Sequence, residues 1–226
     1  RIGQYKFSGR VIAASNPPDI SGGQPLPPAL VRRFAHVPWD VTTEDVARYF
    51  MNASNDSDPI VSAADELRKI KMKITGDWKP IIGNWLRKEA DAIQFENGNW
   101  DGKPYLTPFG LEAVSKVLEA SDAISDVVNV GQLDRITTES IMVDGLIGPS
   151  YSKSLLSYIS LCRNKIDDCI TSGRFDDIET MEIPVLMSRL MSTDVTLLQK
   201  FCVERLAKYP HETEIIATQL QSLLRV

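Results

Sequence analysis

Apolar residues recur along most of this chain at helical spacing. The first clear helical stripe lies after residue 40. Thr42 or Thr43 can cap a helix with Glu44 and Asp45 in its first turn and Val46, Ala47 and Phe50 on its apolar side. The polar run from Asn52 to Pro59 breaks it. Val61, Ala64, Leu67, Ile70 and Ile74 form the next stripe, with Arg68, Lys69, Lys71 and Lys73 on its other sides. Trp78, Ile81, Ile82, Trp85 and Leu86 form a third, which reads as packed core. Residues 95–106 carry Asn97-Gly98 and Asp101-Gly102, the signals of a loop or small β-hairpin.

Thr107 and Pro108 supply an N-cap and a first-position proline for a helix with Leu111, Val114, Val117 and Leu118 as its buried stripe. Residues 121–135 read as a polar loop. Thr137 or Thr138 starts a short helix ending at Gly145, and Gly148-Pro149 opens another carrying Tyr151, Leu155, Tyr158, Ile159 and Cys162. Three more helices are predicted. Pro184 opens one with Val185, Leu186, Leu190 and Met191; Val195, Leu198, Phe201, Cys202 and Leu206 mark the second; Ile216, Leu220, Leu223 and Leu224 mark the last.

The first 40 residues differ in character. From Arg10 to Ser15 a short apolar run with β-branched Val11 and Ile12 meets Asn16, Pro17 and Pro18, the pattern of a buried strand that stops abruptly. Asn16 then sits at the carboxyl end of the strand, the edge at which α/β sheets bind ligands. Leu26 to Arg33 can form a short helix after Gly22-Gly23, with Pro27 and Pro28 in its first turn and Arg32 and Arg33 at its end. A second strand through His36 and ending near Trp39 closes the unit.

This ordered set resembles the second half of the ATPase core in the AAA+ superfamily, most of all its MoxR-like branch. The resemblance covers residues 3–40 and continues more loosely through the helical remainder. It implies that Asn16 is sensor 1, which sets the attacking water against the γ-phosphate, and that Arg33 is the arginine finger that reaches a neighbouring subunit's nucleotide. Arg32 stands where many relatives carry Asp, which leaves open which of the two arginines acts. In the same family a Ser-Pro-Arg sequence begins a lid helix and its Arg is sensor 2; here Thr107 and Pro108 fit, but Phe109 takes the arginine's place, so sensor 2 is assigned to no residue. Arg87 is an alternative cation.

The implied fold is mainly α with a small α/β portion: residues 1–40 as the C-terminal strands of an AAA+ core, and residues 41–226 as an enlarged helical lid. The implied activity is ATP hydrolysis at the subunit interfaces of a ring, a hexamer in this family, that remodels a client protein or complex, often with a von Willebrand factor A domain partner. ATP and Mg²⁺ would be held mainly by upstream motifs. No Gly-x-x-x-x-Gly-Lys-Ser/Thr loop occurs in these 226 residues, so the chain alone is expected not to turn over ATP.

Composition narrows the alternatives. Hydrophobic residues make up 43% and charged residues 24%, the usage of a globular protein. No apolar run approaches a bilayer's thickness, and no signal peptide precedes Arg1, so a cytoplasmic setting is expected and a membrane partner is not. A net charge of −5 disfavours wrapping nucleic acid, which counts against a DNA-associated loader or helicase. Cys162, Cys169 and Cys202 read as core thiols, and Asp167, Asp168, Asp176, Asp177 and Glu179 as solvated helix ends rather than a metal site. His36 and His211 lack a nucleophile partner. The rival to the ATPase is an AAA+-derived helical adaptor without nucleotide chemistry.

Overall fold

The structure, a computed structural model, describes residue 27, residues 33–37 and 42–43, and residues 76–89, 106–123 and 135–224. The described part is mostly helical and contains no strand. Its helices are α1 (Lys79–Lys88), α2 (Pro108–Ala123), α3 (Arg135–Ile147), α4 (Pro149–Ser172), α5 (Ile183–Thr193), α6 (Val195–Lys208) and α7 (Thr213–Leu224), with 3₁₀ turns at Thr180–Glu182 and Pro210–Glu212. Among the described residues no helix is long and apolar enough to cross a membrane.

Each start follows from local chemistry. Pro80 lies in the first turn of α1, where its missing N–H is no loss, and Asp77 accepts the Lys79 amide at 2.9 Å. At α2 the Thr107 hydroxyl accepts the Gly110 amide at 2.9 Å, the cap expected from Thr107-Pro108. The Asp194 carboxylate does the same for the Leu197 amide at the start of α6. Gly148, at φ 85°, turns the chain between α3 and α4, and Gly173, at φ 65°, ends α4; both angles favour glycine. Asp144 accepts the Ser152 hydroxyl across the α3–α4 turn.

The α1 stripe packs as anticipated, with Trp78, Ile81, Ile82 and Trp85 buried. So do the α2 stripe of Leu111, Val114 and Leu118 and the α4 stripe of Leu155, Ile159 and Cys162. Helix α2 packs on α3 and α3 on α4, while α1 touches both α2 and α4. Beyond the turn at Gly173, α5 packs against α6 and α7. Ile183, Val185, Leu186, Met187 and Leu190 of α5 are all buried, so this helix forms the centre of the C-terminal part. One apolar cluster joins every helix from Trp78 to Leu223.

Four boundaries differ from the sequence-based reading. Helix α2 runs on to Ala123, so residues 121–123 belong to a helix and not to the loop expected from Ser121. Helix α3 starts before Thr137 and continues past Gly145 to Ile147, because the positive φ that stops it belongs to Gly148. Pro27 is outside any helix and Arg33 lies in a turn; a proline at 28 disfavours helical geometry at residue 27. Ala35 to Val37 form no strand, since the His36 amide donates to a helix carbonyl, that of Gly145, rather than to a ladder. The expected strand at 10–15, the helix after Thr43, the stripe at 61–74 and the turns at 95–105 lie outside the described residues.

Candidate functional site

Asn16 and Arg32 lie outside the described residues. Arg33 is exposed in a turn, followed by half-buried Phe34, Ala35 and His36 and exposed Val37. This short segment is seated on α3. The His36 N–H donates to the Gly145 carbonyl at 2.8 Å. A Cβ on Gly145 would come within 2.3 Å of the His36 carbonyl oxygen and 2.9 Å of its amide nitrogen, so the backbones meet where only glycine fits.

The same turn of α3 receives the start of α2. A Cβ on Gly110 would lie 2.8 Å from the Leu146 carbonyl oxygen and 3.2 Å from the Ile147 side chain. Adjacent helix residues point about 100° apart, so Gly145 and Leu146 present neighbouring faces of one turn. The Arg33 segment and the Thr107–Gly110 helix start thus share a support. Phe109 is 53% exposed at that start. Arg87 is exposed in the last turn of α1, where the helix dipole favours it.

Elsewhere between the helices lies a charged cluster that the sequence pattern did not reveal. Arg163 of α4 donates to both Glu139 oxygens at 2.8 Å and to Asp122 at 3.0 Å. Its guanidinium also lies 5.0 Å from the centre of the Trp78 ring. Asp122 accepts the Trp78 indole N–H at 2.9 Å and faces Arg189 at 3.8 Å. Burial works against the Arg163 charge, yet the Glu139 hydrogen bonds and the Asp122 charge outweigh it and hold its pKa above the ordinary value. This cluster ties α1, α2, α3, α4 and α5 together. The sequence offered no signal for it: Asp122 falls in the stretch read as a polar loop, and helical periodicity does not say which polar residues meet.

Several other polar groups among the described residues are engaged in structural pairs. Asp176 pairs with Lys208 at 2.8 Å and Asp167 with Arg189. Glu182 accepts the Glu179 amide at 2.8 Å and pairs with Lys165 at 2.7 Å. Cys162 and Cys169 are buried in the core cluster and Cys202 packs half-buried against it, the core placement anticipated for the thiols. Desolvation, with the Glu182 charge next, pushes the Cys162 thiol up to about 11. His211 stands beside Tyr209 with ring centres 6.1 Å apart.

Comparison with known proteins gives no match to any family model, curated protein or solved structure.

Proposed function

We propose that the chain is the C-terminal part of a MoxR-like AAA+ ATPase: the end of an α/β core, followed by an enlarged helical lid. The carrying observation is the common seat on α3. It holds the segment running from Arg33, which the resemblance makes the arginine finger, and the Thr107–Gly110 helix start, which the resemblance makes the lid element beside the nucleotide. Exposure of Arg33 in a turn suits a group that must reach another subunit.

In this reading the substrate is ATP with Mg²⁺, bound at the subunit boundaries of a ring, a hexamer by family, and held mainly by residues upstream of this sequence. The Asn16 amide orients the attacking water. Arg33, alone or with Arg32, neutralises charge on the γ-phosphoryl oxygens from the neighbouring subunit, where a preorganised cation is worth most. Rotation of the helical lid then transmits hydrolysis to a client protein or complex, with a von Willebrand factor A domain as the partner type the family suggests.

ATP turnover by the intact protein tests this reading. Arg33→Ala should lower turnover by about 10³ to 10⁵, the range for arginine fingers, and Asn16→Ala should also abolish it while helicity stays unchanged. Wild-type hydrolysis in both variants overturns the site assignment.

One observation favours the adaptor reading. Phe109 puts an exposed aromatic ring where the resemblance expects the sensor 2 arginine. An intact protein that binds no ATP but retains a client through this helical part would establish the adaptor instead.

A further inference from the structure

Gly145 is an unfavourable residue for its place. It lies inside α3, two residues before the end, where glycine costs roughly 1 kcal/mol relative to alanine. Helix termination does not require it, because Gly148 supplies the positive φ. What Gly145 does allow is the approach of the His36 backbone, with His36 oxygen, carbon and nitrogen at 2.3, 2.9 and 2.9 Å from the Cβ position. The close contact is fixed by the hydrogen bond from the His36 amide to the Gly145 carbonyl.

We propose that Gly145 is a positioning residue for Arg33: the glycine seat on α3 sets how far the arginine turn extends from the helical bundle, and it passes any shift of that bundle directly to the arginine. This inference rests on the reading of Arg33 as the arginine finger. Only two residues, Phe34 and Ala35, lie between Arg33 and His36, a span of at most about 11 Å, so the turn has little slack to absorb a displaced anchor. The three His36 atoms, 2.3 to 2.9 Å from a new Cβ, must retreat until they reach ordinary contact, and all three are backbone atoms without a rotamer to swing away. The neighbouring Leu146 carbonyl packs on Gly110, a second close contact that ties this turn of α3 to α2 and resists its movement. The displacement therefore falls on the His36 segment, and the guanidinium moves with it.

The test is steady-state ATP hydrolysis by the intact protein carrying Gly145→Ala, with Arg33→Ala and the double variant alongside. The expected result is a kcat loss of about 10- to 100-fold, the scale of a misplacement near 1 Å, with KM within about threefold of wild type because the arginine acts on the transition state. In the Arg33→Ala background, Gly145→Ala should add nothing, since the group it positions is already gone. His36→Pro, which deletes the donated N–H and leaves α3 untouched, should reproduce the kcat loss and decides the matter if Gly145→Ala disturbs folding. Wild-type kcat in Gly145→Ala together with a dead Arg33→Ala overturns the positioning role and leaves the ATPase reading standing. A further loss from Gly145→Ala in the Arg33→Ala background also overturns it, by showing a general structural defect. Full activity in Arg33→Ala itself overturns the ATPase reading on which the inference rests.

Discussion

Removing the Glu212 carboxylate should destabilise the C-terminal helices more than any single apolar truncation on their surface. Glu212 is 1% exposed in the 3₁₀ turn between α6 and α7. Its two oxygens accept Arg205 Nε at 2.5 Å and Nη2 at 2.9 Å, and the Thr180 hydroxyl at 2.6 Å. Arg205 is itself only 7% exposed and lies 4.3 Å from the centre of the Tyr209 ring. Glu212→Ala therefore leaves a buried guanidinium without a counter-charge, a change that costs about 3–5 kcal/mol. With an m-value of about 2 kcal/mol/M, the urea midpoint should fall by about 1.5–2.5 M. Circular dichroism at 222 nm during urea titration of the full chain reads this directly.

The pair should also leave a signature in pH. The Arg205 hydrogen bonds, then the Thr180 hydroxyl and the Arg205 charge, hold the Glu212 carboxyl below its ordinary value against the opposing effect of burial. A folded-state pKa depressed in this way adds stability that is complete above the unfolded value, near 4.3, and is lost as pH falls towards the folded one. The gap between wild type and Glu212→Gln should thus be widest near neutral pH and narrow below about pH 4. Replacing both partners, Arg205→Met with Glu212→Leu, should cost far less than either single removal, since no buried charge remains unpaired. A midpoint shift below about 0.3 M for Glu212→Ala, or a gap that widens on acidification, would refute this account of the pair.

Other expectations follow from individual contacts. Thr107→Ala removes the cap on the Gly110 amide and should cost about 1 kcal/mol in urea unfolding, with Thr107→Ser restoring most of it. Gly76→Ala should be more damaging, because its Cβ would lie 2.4 Å from Val185 Cα and 2.7 Å from the Pro184 oxygen, all backbone with no room to yield; a lowered thermal midpoint tests it. Cys162, with its pKa pushed up to about 11, should resist a thiol-reactive disulfide reagent at pH 8 in the native protein and react at once in denaturant. Rapid native labelling of Cys162 would contradict its placement in the core.

Much of the helical part was legible because burial there obeys a 3.6-residue period. The stripes at Trp78–Trp85, Leu111–Leu118 and Leu155–Cys162 each became a buried face, and Thr107, Pro149 and Pro184 each marked a helix start. Where two glycines competed, as at 145 and 148, the pattern could not tell a helix end from a packing site. The positive φ of Gly148 and the His36 backbone packed on Gly145 distinguish them, and that contact joins residues more than a hundred positions apart. The Arg163, Asp122, Glu139 and Trp78 cluster was invisible for the same reason: a charged residue beside an apolar stripe looks solvated until another helix brings its partner. Of the proposed site, Arg33, the His36 seat and the Thr107–Gly110 helix start fall among the described residues, and at His36 the expected strand gives way to a hydrogen bond with a helix.

The most direct test of the trans arrangement is a mixing experiment with intact protein. Asn16→Ala subunits keep Arg33, and Arg33→Ala subunits keep Asn16, so an interface formed between the two in the right order is complete. If each site draws on two subunits, two preparations that are inactive alone should regain activity on mixing, and random assembly at equal ratio restores about a quarter of the interfaces. Hydrolysis that never exceeds the sum of the two separate preparations, in rings shown to exchange subunits, would contradict a nucleotide shared across the boundary.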